Sequence, residues 1–203
     1  AGKACGLCRF PVYWKYGKCG APLMLYGKMR GDAPKISLHG TQAAFLHGGI
    51  IGMIRILFIC HGNICRSPMA EFVMKEIVRR GGEADRFSIA SCAVSREEIG
   101  SDIHAGTRRK LRERGIPFER RAAVQLTRAD YDRWDYLIAM DTANVRGIER
   151  ITGGDPAHKV HLLLEFAGER RSIADPWYTG DFDETYRDVL RGCSALYEKL
   201  KRQ

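Results

Sequence analysis

An α/β fold is predicted for residues 53–203 of this 203-residue chain, with four parallel strands in one sheet and helices on both of its faces. Three observations predict it. From Met53 onward, apolar runs of strand length alternate with longer segments of helical periodicity. The first run, "IRILFI", is almost continuously apolar, as suits a strand covered on both sides. The final segment spaces Phe182, Tyr186, Val189, Leu190, Cys193, Leu196, Tyr197 and Leu200 along one helical face.

The elements follow in order. Ile54–Ile59 reads as a buried strand. "SPMAEFVMKEIVRR" follows as a helix, with Pro68 in the first turn, where a missing N–H costs nothing, and the Gly81-Gly82 pair as its stop. "RFSIAS" is a second strand ending near Ser91. His104 to Arg114 reads as a helix ended by Gly115 and Pro117. "DYLIAM", Asp135–Met140, is the third strand, and "DTANVRGIERI" a helix opening at Asp141 or Thr142. "KVHLLLEF" is the fourth strand, and the amphipathic segment from Phe182 closes the fold. Ligands of such sheets bind at the carboxyl ends of the strands, and Cys60 falls there.

Residues 1–52 are different. They hold ten of the 22 glycines and show no sustained period. Cys5, Cys8, Cys19, His39 and His47 invite a zinc reading, but one Cys-x-x-Cys without a matching second pair favours an irregular or disordered extension. "GGIIGM" can be encoded by a purine-rich stretch just before an ATG, resembling a bacterial ribosome-binding site. The expectation is that the natural protein starts at Met53 and that residues 1–52 are upstream read-through. Peptides from Phe10 to Lys35 in the native host's protein, found by mass spectrometry, would end that idea.

The formal charge of +9 concentrates in this extension, which carries seven basic residues and one acid. The remaining 26 basic and 23 acidic residues mix along the chain, so neither a nucleic-acid nor a membrane partner is expected. Seven irregularly spaced cysteines suit reduced thiols in the cytoplasm better than a disulfide framework. Ala43 to Cys60, the most apolar stretch, is too interrupted by His47, Arg55 and glycines to span a membrane.

The chemistry centres on "CHGNICRS", Cys60 to Ser67. A loop that holds phosphate needs inward-pointing N–H groups, a helix N-terminus and a planar cation. Gly62 and Asn63 tolerate the left-handed conformations that gather N–H groups on one centre. Arg66 offers a fork that matches two phosphate oxygens. Cys60 sits at the floor, where the helix N-terminus and Arg66 favour a thiolate. About one Cys-x5-Arg pair is expected by chance in this composition, so position after a strand and before a helix carries the signal. A leaving oxygen also needs an acid. "IADPWYTGD" offers Asp175, restricted by Pro176, with Trp177 and Tyr178 able to wall an aromatic pocket.

"LFICHGNICRSPMAE" with a late "DPWY" resembles the low-molecular-weight protein tyrosine phosphatases. So do "SIAS", "GIP", "QLT", "DYLIAMD" and "FDETY", in the same order, over Met53 to Lys201. The resemblance implies a flavodoxin-like three-layer sandwich and a two-step mechanism without metal or cofactor. Cys60 would attack phosphorus, Arg66 and the loop amides would hold the oxygens, and Asp175 would act as acid and then base. Ser67 matches a hydroxyl that donates to the thiolate, and Asn63 and Ser91 match residues that brace the loop. Ile64 lies beside the substrate ring in tyrosine-specific members. Cys65 matches a cysteine that forms a protective disulfide with an oxidised nucleophile, or else simply packs the loop. Glu97 replaces a frequent aromatic, and Arg121 stands where a buried histidine usually supports the brace. His61 lines the pocket mouth, as a substrate contact or merely exposed.

The resulting expectation is a monomeric, cytoplasmic, bacterial phosphatase of tyrosine-phosphorylated proteins. Rivals remain. Arginine phosphatases carry threonine in place of Ile64. Arsenate reductases of this type need a further cysteine pair, whereas Cys92 and Cys193 are isolated. A silent phosphate-binding module would have lost Cys60, Arg66 or Asp175.

Overall fold

The computed structural model describes residues 52–203. The extension and its suggested zinc ligands, Cys5, Cys8, Cys19, His39 and His47, lie outside the described residues.

Four strands form one parallel sheet: β1 (Ile54–Cys60), β2 (Phe87–Ala93), β3 (Tyr136–Ala139) and β4 (Val160–Leu162), in the order β2-β1-β3-β4. Side chains alternate across a strand, so β1 serves two cores at once. Ile56 and Phe58 face one layer, packed with Met69, Val73 and Val189, while Leu57 and Ile59 face the other with Leu137 and Ile148. That double burial is why the run reads as continuously apolar.

The first layer holds α1 (Arg66–Arg80), α2 (Ala105–Glu113) and the long α6 (Phe182–Leu200); the second holds α3 (Arg128–Arg133) and α4 (Thr142–Thr152). From β1 the chain moves through α1 to β2 on one side, then returns past β1 to β3 on the other. The carboxyl end of β1 therefore lies at the point where strand order reverses, the usual crevice for a ligand. The chain stops α1 at Gly81 and Gly82, the latter at φ 72°, as the glycine pair predicts.

Several expectations need correction. The fourth strand ends at Leu162, and Leu163–Ala167 turns into a 3₁₀ helix that buries Leu163 and Leu164. Leu162–Leu164 of "HLLLEF" are buried, but apolarity alone does not separate a strand from a tight helical turn. α3 is an additional helix, opened by a capping box in which Thr127 and Asp130 bond reciprocally. Pro176–Thr179 forms a one-turn helix, α5, capped by Asp175. On α6, Leu190 is exposed and Tyr197 only partly buried, its hydroxyl donating to Glu83. Among the described residues no helix is long and apolar enough to cross a membrane.

Candidate active site

The chain leaves β1 at Cys60 and enters α1 at Arg66 through a five-residue loop. Asn63 takes the left-handed conformation at φ 58°. Gly62 does not, so the loop needs one left-handed residue rather than the expected two. This fold-back brings the Asn63 N–H to 3.2 Å from Cys60 Sγ, and Ser67 Oγ lies 3.0 Å from the same sulfur. The Asn63 N–H stabilises negative charge on sulfur more than a neutral thiol, and the Ser67 hydroxyl does so when its proton turns from the Cys92 carbonyl (3.3 Å) to the sulfur.

Arg66 is almost fully buried, with Nη1 donating to Asp141 Oδ2 (2.6 Å) and to the Ile173 carbonyl (3.2 Å), and Nη2 to Asp175. Its Nε is buried with no hydrogen-bond partner. A buried donor left unmet costs about 1–3 kcal/mol, so this N–H is suited to an anion in the adjoining cavity. Burial opposes the Arg66 charge, but the Cys60 sulfur and the Asp175 and Asp141 carboxylates outweigh it and raise its pKa.

The cavity holds about 120 Å³. Cys60, Cys65 and Arg66 line it, as do Gly62 and Ile64 from the loop. Trp177 and Tyr178, both largely exposed, form a wall, and Asp175, His61, Glu97 and Glu98 contribute the remainder. Of the sequence-predicted residues, Asn63, Ser67 and Ser91 are buried and do not line the cavity, while the others meet in it. His61 does more than sit exposed: its Nε2 pairs with Glu97 Oε2 at 2.9 Å. An acidic side chain, tied to histidine, occupies the position that the resemblance marks as frequently aromatic.

The brace is continuous. Asn63 Nδ2 donates to both Ser67 Oγ and Ser91 Oγ, each at 2.9 Å. Arg121 reaches in from the far side, with Nη2 donating to Asn63 Oδ1 (2.8 Å) and the Ser91 carbonyl (2.9 Å) and Nη1 to Ser91 Oγ (2.5 Å). Glu71, buried on α1, accepts from Ser91 (2.6 Å) and Arg121 (3.1 Å) and supplies the countercharge. The expected difference at Arg121 is therefore a substitution of means: a guanidinium with its own carboxylate partner holds the loop. Arg121→Met should leave Glu71 with Lys75 as its remaining cation (2.5 Å) but strip Asn63 Oδ1 and the Ser91 carbonyl of a donor, and cost about 1–3 kcal/mol in urea denaturation. A loss below about 1 kcal/mol would show the pair to be replaceable by water.

Two functional positions were missed by the sequence reading. Asp141 was recognised only as a helix start; it caps α4 through Asn144 N (2.6 Å) and also anchors Arg66. Glu71 carried one signal, an acid on an otherwise apolar stretch of α1. Cys65 is buried, and its thiol is pushed up to about 12 by burial and then by the Cys60 and Asp175 charges. Burial also raises Cys92 and Cys193, which sit in β2 and α6.

Comparison with known proteins gives the same direction. The family described as low molecular weight phosphotyrosine protein phosphatase matches residues 55–203. The low molecular weight protein-tyrosine-phosphatase YfkJ of Bacillus subtilis is 33% identical over 153 residues, covering 74% of this chain and 98% of its own. The low molecular weight phosphotyrosine protein phosphatase of Rattus norvegicus is 34% identical over 154 residues, 73% of this chain and 97% of its own. The crystal structure of YfkJ superposes with a TM-score of 0.72, covering 74% of this chain and 96% of that one. That of SP-PTP, a low molecular weight protein tyrosine phosphatase from Streptococcus pyogenes, gives 0.66 at 40% identity, covering 73% and 93%.

Proposed function

Since this chain belongs to the low molecular weight phosphotyrosine protein phosphatase family, we propose that its residues 53–203 hydrolyse phosphotyrosine in proteins, and small aryl phosphates, through a cysteinyl-phosphate intermediate. The observation that carries this reading is Cys60 Sγ, held by Ser67 Oγ and the Asn63 N–H beside the buried Arg66 fork.

In the first step the Cys60 sulfur forms a bond to phosphorus as the bond to the tyrosyl oxygen breaks, and Asp175 gives that oxygen its proton. Arg66 and the loop amides stabilise the charge on the equatorial oxygens. In the second step Asp175 takes a proton from water, the water oxygen bonds to phosphorus, and the sulfur leaves as thiolate. No metal or cofactor takes part in either step. Ile64 on one side of the cavity and Trp177 and Tyr178 on another offer apolar surface to a phenyl ring, which supports tyrosine over arginine. Cys92 and Cys193 sit in β2 and α6 and do not line the cavity, whereas Cys60 and Cys65 do, which speaks against an arsenate relay. Cys65 suits the resolving role, condensing with an oxidised Cys60 to a disulfide and water. The proposed setting is a cytoplasmic monomer acting on tyrosine-phosphorylated proteins.

Phosphate release from a phosphotyrosine peptide, with a phosphoarginine peptide run alongside, tests the reading. Release from phosphoarginine alone would move the protein to the other substrate. Asp175→Asn should slow the phosphotyrosine peptide about 10²–10³-fold, while p-nitrophenyl phosphate, whose leaving group needs little protonation, slows far less. Equal slowing of both would remove Asp175 from the acid role.

A further inference from the structure

We propose that His104 is the positioning residue that sets the aim of Asp175 over the phosphate loop, acting through the ring of Trp177; this rests on the phosphatase reading above. His104 does not line the cavity. It touches both halves of the site from behind. Its backbone N–H donates to the Ile64 carbonyl at 2.9 Å, and Thr107, one turn on, donates through Oγ1 to the Cys65 carbonyl at 3.3 Å. The start of α2 is thereby fastened to the phosphate loop.

The imidazole points to the other half. It stacks on Phe182 with centroids 5.3 Å apart and planes within 2°, and meets Trp177 edge-on at 5.7 Å. Such aromatic contacts contribute beyond simple area burial and prefer defined angles, so they orient as well as attract. Trp177 is 57% exposed, so packing from the protein interior does little to hold it. The ring of His104 is itself fixed. Nδ1 accepts the Gly106 N–H at 3.1 Å, which leaves the proton of the neutral ring on Nε2 and caps α2. Gly106 makes the arrangement possible, because a Cβ there would lie 2.4 Å from the Phe182 ring.

The last link runs through the backbone. The Trp177 N–H donates to Asp175 Oδ1 at 3.1 Å, while Oδ2 takes Arg66. A shift of Trp177 is therefore a shift of the carboxylate. Misplacement on the order of 1 Å can cost up to about 10²-fold in a catalytic step.

The test uses the full chain and two substrates, a phosphotyrosine peptide and p-nitrophenyl phosphate. His104→Asn keeps a short acceptor for the Gly106 N–H and loses the ring; His104→Phe keeps the ring and loses the acceptor. His104→Asn should lower kcat on the peptide about tenfold with KM nearly unchanged, and spare p-nitrophenyl phosphate. In an Asp175→Asn background the same change should cost less than about twofold, because the group being aimed is gone. His104→Phe should recover most of the loss. Equal slowing of both substrates, equal cost in both backgrounds, or a Phe variant as slow as the Asn variant would each overturn the proposal. If His104→Asn fails to fold by circular dichroism, His104→Ser, which also keeps a capping acceptor for the Gly106 N–H and loses the ring, carries the same two-background comparison with the same deciding outcomes. A wild-type protein inactive on both substrates would overturn the phosphatase reading, and this inference with it.

Discussion

Cys60→Ser is expected to lower turnover of a phosphotyrosine peptide by on the order of 10⁴-fold or more while inorganic phosphate binds as well as before. A serine hydroxyl fits the space at the end of β1 and can keep contact with Ser67 Oγ and the Asn63 N–H. Arg66, Asp141 and the brace from Arg121 are untouched. What is lost is the sulfur nucleophile, because a hydroxyl attacks phosphorus far less readily than sulfur does. Arg66 and the loop amides that face the anion stay in place, so competition by phosphate, read by calorimetry, should hold. Turnover within about tenfold of wild type would place the nucleophile elsewhere. Loss of phosphate binding would mean that Cys60 holds the loop's shape, not only its reactivity.

This separation of binding from chemistry explains which parts of the site were legible in the sequence. The segment from β1 through Arg66 to α1 is local: a buried strand, one left-handed residue and a helix start lie within a dozen positions, and each has its own composition signal. Asp175 was legible for a similar reason, since Pro176 restricts it and two aromatics follow. The contacts that tune these groups are long-range. Asp141 lies 75 positions from Arg66, and Arg121 lies 58 from Asn63. Asp141 looks like an ordinary helix cap, and only the return of β3 past β1 gives it its partner; Arg121 was marked by the resemblance and not by its local sequence. The shortened β4 failed for another reason. Leu162 to Leu164 are buried whichever backbone they adopt, so apolarity could not distinguish a strand from the 3₁₀ turn. α3 was legible and passed over, because Thr127 and Asp130 have the spacing of a capping box. Leu190 fits a helical face by spacing, yet α6 turns it toward solvent next to buried Val189.

Arg66→Lys separates the charge of the site from its geometry. Lysine keeps the positive charge close to Asp141 and Asp175, so neither carboxylate is left without a cation and stability should fall by less than about 1.5 kcal/mol. Its ammonium is a point charge on a flexible stem, whereas the guanidinium is a rigid plane that presents Nε and both Nη donors in fixed directions. In the present arrangement Nη1 and Nη2 are divided between Asp141, the Ile173 carbonyl and Asp175, and Nε remains for the ligand. One ammonium cannot hold both carboxylates and also meet a phosphate oxygen. Arg66→Lys is therefore expected to lower kcat/KM about 10²–10³-fold at nearly unchanged urea midpoint. Arg66→Met should do as much harm to activity and also destabilise the fold by about 3–5 kcal/mol, since it strands two carboxylates that are largely out of water. If lysine restores wild-type kcat/KM, charge alone is what the loop requires. If lysine and methionine destabilise equally, the link from Arg66 to Asp141 and Asp175 is a matter of hydrogen-bond geometry rather than charge, and Asp141 should then tolerate Asn without loss of stability.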